Sequence, residues 1–262
     1  MKRIIKLTKF ALAYLGFYPD QLFENIKQFP SFIKELGDFK KSFKGKYTDW
    51  KFSYYPILTD KKDQSGKARG QYFYQDLFVA GLIYKADPKR HIDIGSRIDG
   101  FIAHLACFRK VDVMDIRPLN SNIQNVNFIQ ADLMKPAADL KDSTDSLSCL
   151  HTIEHFGLGR YGDDIDPDGH LKGLESMYQI LQKGGTFYFS TQIGPSMVAF
   201  NAHRVFSVSY LLSLFETKYE LLSFSYIDDN DVLHQKVELT EQGLANNFNC
   251  KLGCGIFELK KL

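Results

Sequence analysis

The sequence predicts an α/β fold, a doubly wound and mostly parallel sheet of seven strands behind an N-terminal helical extension. Three observations lead there. Short apolar runs of strand length recur between residues 91 and 259, and stretches with helical periodicity fall between them. A glycine, Gly95, closes the first run just where a helix is due to open. Strands that read as continuous apolar runs are buried on both faces, and helices on both faces imply a parallel sheet.

Each element has its own signal. Residues 20–45 suggest one or two helices, and Tyr47–Pro56 is rich in aromatic residues. Residues 59–70 are polar and punctuated by glycine, which separates an extension at 1–69 from a domain at 70–262. A helix over 71–86 leads into Asp87-Pro88, and strand one is His91–Ile94. After a helix at 99–109 come strands at Val111–Asp115, Val126–Gln130 and Ser146–Leu150. A helix over roughly 168–182 is stopped by Gly184-Gly185, and Thr186–Thr191 is the fifth strand. Ser207–Phe215 is a further helix, and Tyr219–Ile227 and Ile256–Leu259 complete the sheet.

Composition bounds the function. With 22 Phe and 14 Tyr in 262 residues, the chain carries too much apolar surface to remain disordered. No stretch approaches the ~18 apolar residues of a membrane span. A net charge of +2 gives no overall nucleic-acid footprint. The charge is uneven, however: residues 1–51 carry eleven Lys/Arg against five Asp/Glu, a local contact surface on a mildly acidic body. In residues 1–17, Lys2, Lys6 and Lys9 form one stripe of a helix whose other sides are apolar. Such a helix either docks on the chain's own core, the commoner case, or makes a peripheral contact with an anionic membrane. It has neither the long apolar region nor the cleavage site of a signal peptide. Cys107 and Cys149 read as buried packing thiols, and Cys250 and Cys254 lack zinc spacing, so a reducing, cytoplasmic setting is expected.

The chemistry is carried by His91-Ile-Asp93-Ile-Gly95-Ser96-Arg97-Ile-Asp99-Gly100. A glycine at the end of a buried strand lets a ligand approach the backbone, and the following helix N-terminus favours an anionic group. Twenty residues past Gly95, Asp115 ends strand two, where a carboxylate can hold two ribose hydroxyls. A dinucleotide requires a second glycine where this chain has Arg97, so a nicotinamide cofactor is disfavoured and S-adenosylmethionine favoured. Asp132 ends strand three beside the same crevice, placed to accept an adenine amine.

With strand four ending Cys149-Leu-His151-Thr-Ile-Glu154-His155, residues 70–262 resemble a class I S-adenosylmethionine-dependent methyltransferase. Within that class, Glu154-His-Phe-Gly-Leu-Gly-Arg-Tyr-Gly-Asp163 resembles a bacterial family of uncharacterised function linked to surface-polysaccharide genes. The resemblance implies that Asp93, Gly95 and Ser96 form the first cofactor motif. It implies further that Asp115 with Ile116 holds the ribose, that Asp132-Leu133 contacts adenine, and that His151 touches the cofactor. Arg97 and Asp99 depart from that motif, which keeps a catalytically silent scaffold of the same fold as the alternative.

Methyl transfer to a hydroxyl needs alignment and a proton acceptor. His155 is the first candidate base, with Glu154 and His203 as alternatives, against the bland reading that Glu154-His155 simply opens a helix. Arg160, Tyr161, Asn201 and Arg204 are candidate acceptor contacts, although either arginine could instead serve a structural ion pair. Asp164-x-Asp166-x-Asp168-Gly169 with Glu175 matches a calcium-loop pattern. Pro167 and Lys172 oppose it, helix capping is the simpler account, and no metal is expected. The expected partners are a small-molecule or saccharide acceptor and no nucleic acid, with residues 20–60 available as a lid or for a homo-oligomer contact.

Overall fold

The computed structural model describes residues 12–66, 68–135 and 138–262. Most of the amphipathic stretch predicted at 1–17 therefore lies outside the described residues. The chain divides into two compact units, Met1–Lys67 and Ala68–Leu262.

In the first unit, helix α1 (Pro19–Phe43) is one continuous helix, where the sequence left one or two open. Apolar residues recur at spacings of three and four along Leu22, Ile26, Phe29, Ile33 and Leu36 on both sides of Pro30, so the stripe is unbroken across the proline. None of the residues of α1 is buried. Gly45, at φ +77°, turns the chain out of the helix into the aromatic segment.

The second unit opens with α2 (Gln71–Ala86) and β1 (His91–Ile94). The helix predicted at 99–109 is broken into a wide turn at Ile98–Ile102 and a short α3 (Ala103–Ala106), because Gly100 leaves helical geometry. Then follow β2 (Val111–Asp115), β3 (Val126–Gln130), β4 (Thr144–Leu150), α4 (Gly169–Ile180) and β5 (Leu181–Ile193). The chain continues through β6 (Met197–Ala199), β7 (His203–Val205), α5 (Val208–Phe215), β8 (Tyr219–Ile227), β9 (Leu233–His234), α6 (Glu241–Ala245) and β10 (Gly253–Lys261). The main sheet runs β3-β2-β1-β4-β5-β10-β8-β9. Pairings among the first five are parallel, and β10 lies antiparallel between β5 and β8. All seven predicted strands are present; β9 adds a two-residue edge. Strands β6 and β7 form a separate hairpin, too short to show a period in the sequence.

Both faces of the sheet are covered. Val79 and Ile83 of α2 and Leu105 of α3 pack with Val111, Val113 and Leu150 on one side. On the other, Met177 and Ile180 of α4 and Leu211 and Phe215 of α5 cover Ile92, Ile94, Leu147 and Phe189. Each such side chain contributes about 1.5–3 kcal/mol of burial, which fixes the strand ends that carry the site. Cys149, Cys250 and Cys254 are buried, but Cys107 is exposed, contrary to its apolar surroundings in sequence, because it follows the short α3. Among the described residues, no helix is long and apolar enough to cross a membrane.

Candidate functional site

A cavity of about 520 Å³ opens at the carboxyl ends of β1, β2 and β4, in the size range of a small-molecule site. Its floor is the turn after β1. Gly95 has φ +72° and donates its N–H to Met114 O (2.8 Å). A Cβ there would lie 2.3 Å from Thr152 Cγ2, so the strand end is shaped for glycine alone. Ser96 donates its N–H and Oγ–H to Asp93 (3.0 and 2.8 Å), and Ser148 Oγ donates to the same carboxylate (2.5 Å). Asp93 is thus a buried brace beneath the turn and does not line the cavity. Burial pushes its pKa up to about 7 against those donors.

Asp115 and Asp132 stand at the ends of β2 and just past β3, and both line the cavity with Ile116 and Leu133. Both oxygens of Asp115 are held by Arg117, through its backbone N–H (2.8 Å), Nε (3.0 Å) and Nη2 (2.6 Å). The Arg117 guanidinium also lies 4.4 Å above the Tyr161 ring. Asp132 accepts from Met134 N–H (3.0 Å) and pairs with Lys135 (3.1 Å). Arg97 and Asp99 pair with each other at the rim (2.6 Å), both well exposed, so the departures from the first motif neutralise one another and the cavity stays open beside them.

The wall after β4 holds two histidines in different settings. His151 Nδ1 lies 2.9 Å from Glu154 Oε1, and Thr191 Oγ donates to Glu154 Oε2 (3.1 Å). The Tyr72 ring packs 4.8 Å from the imidazole, whose Nε2 is buried without a hydrogen-bond partner among the described residues. Burial opposes charge on His151, but the adjoining Cys254 sulfur and the Glu154 carboxylate outweigh it and hold its pKa above the ordinary value. Burial alone would raise Glu154; the hydrogen bond and charge of His151 bring it below its ordinary value. His155 donates Nδ1–H to Ala202 O (2.7 Å), a carbonyl that Arg160 Nη1 also reaches (2.9 Å). Burial, with Arg160 nearby, keeps the His155 pKa below the ordinary value although Glu154 opposes this, so the ring is neutral at pH 7. The Nδ1–H tautomer then leaves Nε2 as a proton acceptor.

Of the residues predicted for the site, Gly95, Ser96, Asp115, Ile116, Asp132, Leu133, His151, His155, Arg160 and Tyr161 line one cavity. Glu154 sits behind His151 as a buried partner, and Asn201, His203 and Arg204 lie off the cavity on the β6–β7 hairpin. Arg204 is buried and donates to the carbonyls of Phe156 and Pro167 (3.1 Å to the latter), a structural clamp on the loop before α4. Tyr72, Thr152 and Arg117 were not foreseen; only Arg117, two residues past Asp115, had a sequence signal. In the segment that matches a calcium loop, α4 starts at Gly169, Lys172 pairs with Asp166 (2.5 Å) and Lys218 with Glu175 (2.6 Å). Among the described residues, no cluster of three His, Cys, Asp or Glu could hold a metal.

Sheet order, strand polarity and the crevice at the strand ends define a Rossmann-like methyltransferase fold. Residues 110–262, more than half of the chain, match the family described as "Caenorhabditis protein of unknown function, DUF268", and the chain belongs to that family. No curated protein matches its sequence. Among solved structures it is similar to 1,6-didemethyltoxoflavin-N1-methyltransferase of Burkholderia thailandensis with bound 1,6-didemethyltoxoflavin and S-adenosylhomocysteine (13% identity, 71% of this chain and 78% of that one, TM-score 0.50). It is similar also to the [4+2]-cyclase SpnF (9% identity, 75% and 85% covered, TM-score 0.52). At such identities the likeness is one of fold, and a cyclase among these structures means that fold alone does not choose the reaction.

Proposed function

We propose that the unit Ala68–Leu262 is an S-adenosylmethionine-dependent methyltransferase acting on a hydroxyl of a sugar, nucleotide-sugar or polysaccharide precursor. The observation that carries the reading is the convergence of the Gly95 turn, Asp115 and Asp132 on one cavity from three adjacent strands. The Gly95 turn offers a backbone cradle that a side chain would fill, and the Asp115 carboxylate would hold a ribose diol in exchange for part of its grip by Arg117. Asp132 and Leu133 would flank the adenine. Bound S-adenosylmethionine supplies an electrophilic methyl group. The chain's own contribution is to orient the acceptor and take its proton: His155 Nε2, neutral and fixed by the Ala202 carbonyl, is the base the geometry favours. Arg160, stacked 5.1 Å from the Tyr161 ring, can meet a phosphate or carboxylate of the acceptor. The sugar class rests on the resemblance of the segment Glu154–Asp163, and an acceptor screen tests it.

A catalytically silent protein of the same fold is the second reading, favoured by the grip of Arg117 on Asp115, which a cofactor ribose would have to displace. Isothermal titration with S-adenosylhomocysteine, on wild type and Asp115→Ala, decides the first step. Binding that the substitution abolishes supports the site; no binding by the folded wild-type chain refutes it. Binding without methyl transfer to any acceptor screened favours the scaffold.

A further inference from the structure

The unit Met1–Lys67 carries a feature that the cavity does not use. Residues 39–55 place five lysines (Lys40, Lys41, Lys44, Lys46, Lys51) against one acid, Asp49, among seven aromatic residues. The aromatic rings are assembled. Phe43 packs against Phe39 (5.7 Å), Tyr47 (5.9 Å) and Phe52 (5.4 Å), and Tyr47 stacks on Trp50 at 4.7 Å. Lys40 Nζ lies over the Phe52 ring (5.9 Å) and over that of Tyr54 (4.7 Å), which keeps a cation among the aromatic rings. Assembly has not buried them: Trp50 is 68% exposed, and Phe39, Tyr47, Tyr54 and Tyr55 are exposed too. The patch continues into the stripe of α1, where Leu22, Ile26, Phe29 and Ile33 are exposed.

We propose that this lysine–aromatic patch, with the apolar stripe of α1, seats the chain on an anionic lipid surface. Lysines beside Trp, Tyr and Phe suit the headgroup boundary, where the rings enter the interface and the ammonium groups meet lipid phosphates. The aliphatic stripe discriminates against single-stranded nucleic acid: stacking uses rings and cations, and leaves Leu22, Ile26 and Ile33 without a role. A second copy is disfavoured by charge, since the patch would face its own lysines. With no membrane-crossing helix among the described residues, α1 lies along the surface. The inference uses residues outside Ala68–Leu262 and stands apart from the cofactor reading.

Trp50 is the only tryptophan of the chain, so its fluorescence reports on this patch alone. The full chain is titrated with phosphatidylcholine vesicles, with and without phosphatidylglycerol. The expected result is a blue shift and co-sedimentation with the anionic vesicles, reversed by high salt. The combined variant Lys40→Gln, Lys44→Gln, Lys46→Gln replaces exposed side chains and should melt as the wild type does, while binding on the order of a hundredfold more weakly. Trp50 emission unmoved by anionic vesicles overturns the proposal. So does undiminished sedimentation of the triple variant, which would place the contact elsewhere. A shift caused by a single-stranded oligonucleotide and by no vesicle would assign the patch to nucleic acid instead.

Discussion

Gly95→Ala isolates the turn on which the cavity stands. The new Cβ would meet Thr152 Cγ2 at 2.3 Å, more than an ångström inside ordinary contact, on backbone at φ +72°. Placing a non-glycine residue in the left-handed region costs about 1–2 kcal/mol. Forcing the methyl groups apart in a packed interior adds about 1–3 kcal/mol. The sum, about 2–5 kcal/mol, should lower the melting temperature by roughly 4–20 °C, at about 2–4 °C per kcal/mol for a unit of this size. Thr152→Ala removes the colliding methyl, so Gly95→Ala combined with Thr152→Ala should recover the steric part and keep only the backbone part. Differential scanning calorimetry of the four proteins closes the cycle. If Gly95→Ala melts with the wild type, or if Thr152→Ala gives no rescue, then this account of the turn is wrong.

Two further substitutions probe the histidines. His155→Gln should lower kcat by about 10²- to 10⁴-fold while leaving S-adenosylhomocysteine affinity unchanged, and the acid limb of the wild-type kcat/KM profile should lie below pH 6.5, since a base held neutral works down to its lowered pKa; an acid limb at or above pH 6.5 counts against His155. Glu154→Gln leaves the buried His151 without its carboxylate and should cost about 3–5 kcal/mol of stability in thermal melts. The sign of its pH dependence follows from both partners: the lowered Glu154 contributes stability that is lost as pH falls below its ordinary 4.5, and the raised His151 contributes stability that is lost as pH rises through its folded value. The gap between wild type and variant should be widest between those limits, and a gap independent of pH would refute the ion pair.

The sheet was legible in the sequence because its strands are buried on both faces and bounded by turn residues. His91–Ile94, Val111–Asp115, Val126–Gln130 and Tyr219–Ile227 are strands with the predicted ends. Gly100 ended the helix expected at 99–109, because a single glycine in an apolar stretch carries no mark of the conformation it will take. The site residues on strand ends could be ordered along the crevice, since a parallel sheet puts all those ends on one side. What periodicity cannot show is where a long side chain points. Arg204 and Arg160 look alike as candidates for an anion, yet one is buried against backbone carbonyls and the other lines the cavity. Tyr72 reaches His151 from a helix that precedes the whole sheet, a contact set by packing across the chain.

The two histidines after β4 show how neighbours divide the chemistry of one loop. Both are largely buried, and burial by itself would leave both neutral. A carboxylate 2.9 Å from His151 favours its charged form, whereas the Ala202 carbonyl and Arg160 leave His155 with a fixed tautomer and no net reason to hold a second proton. One ring is therefore held as a donor toward Glu154, and the other, with its Nδ1–H fixed on Ala202 O, keeps Nε2 as an acceptor; both line the same cavity. Separating the pKa values of adjacent titratable groups is what assigns acid and base in an active site. Between His151 and His155 the pKa values move in opposite directions, because the turn lets Glu154 face inward toward Thr191 and pair with His151.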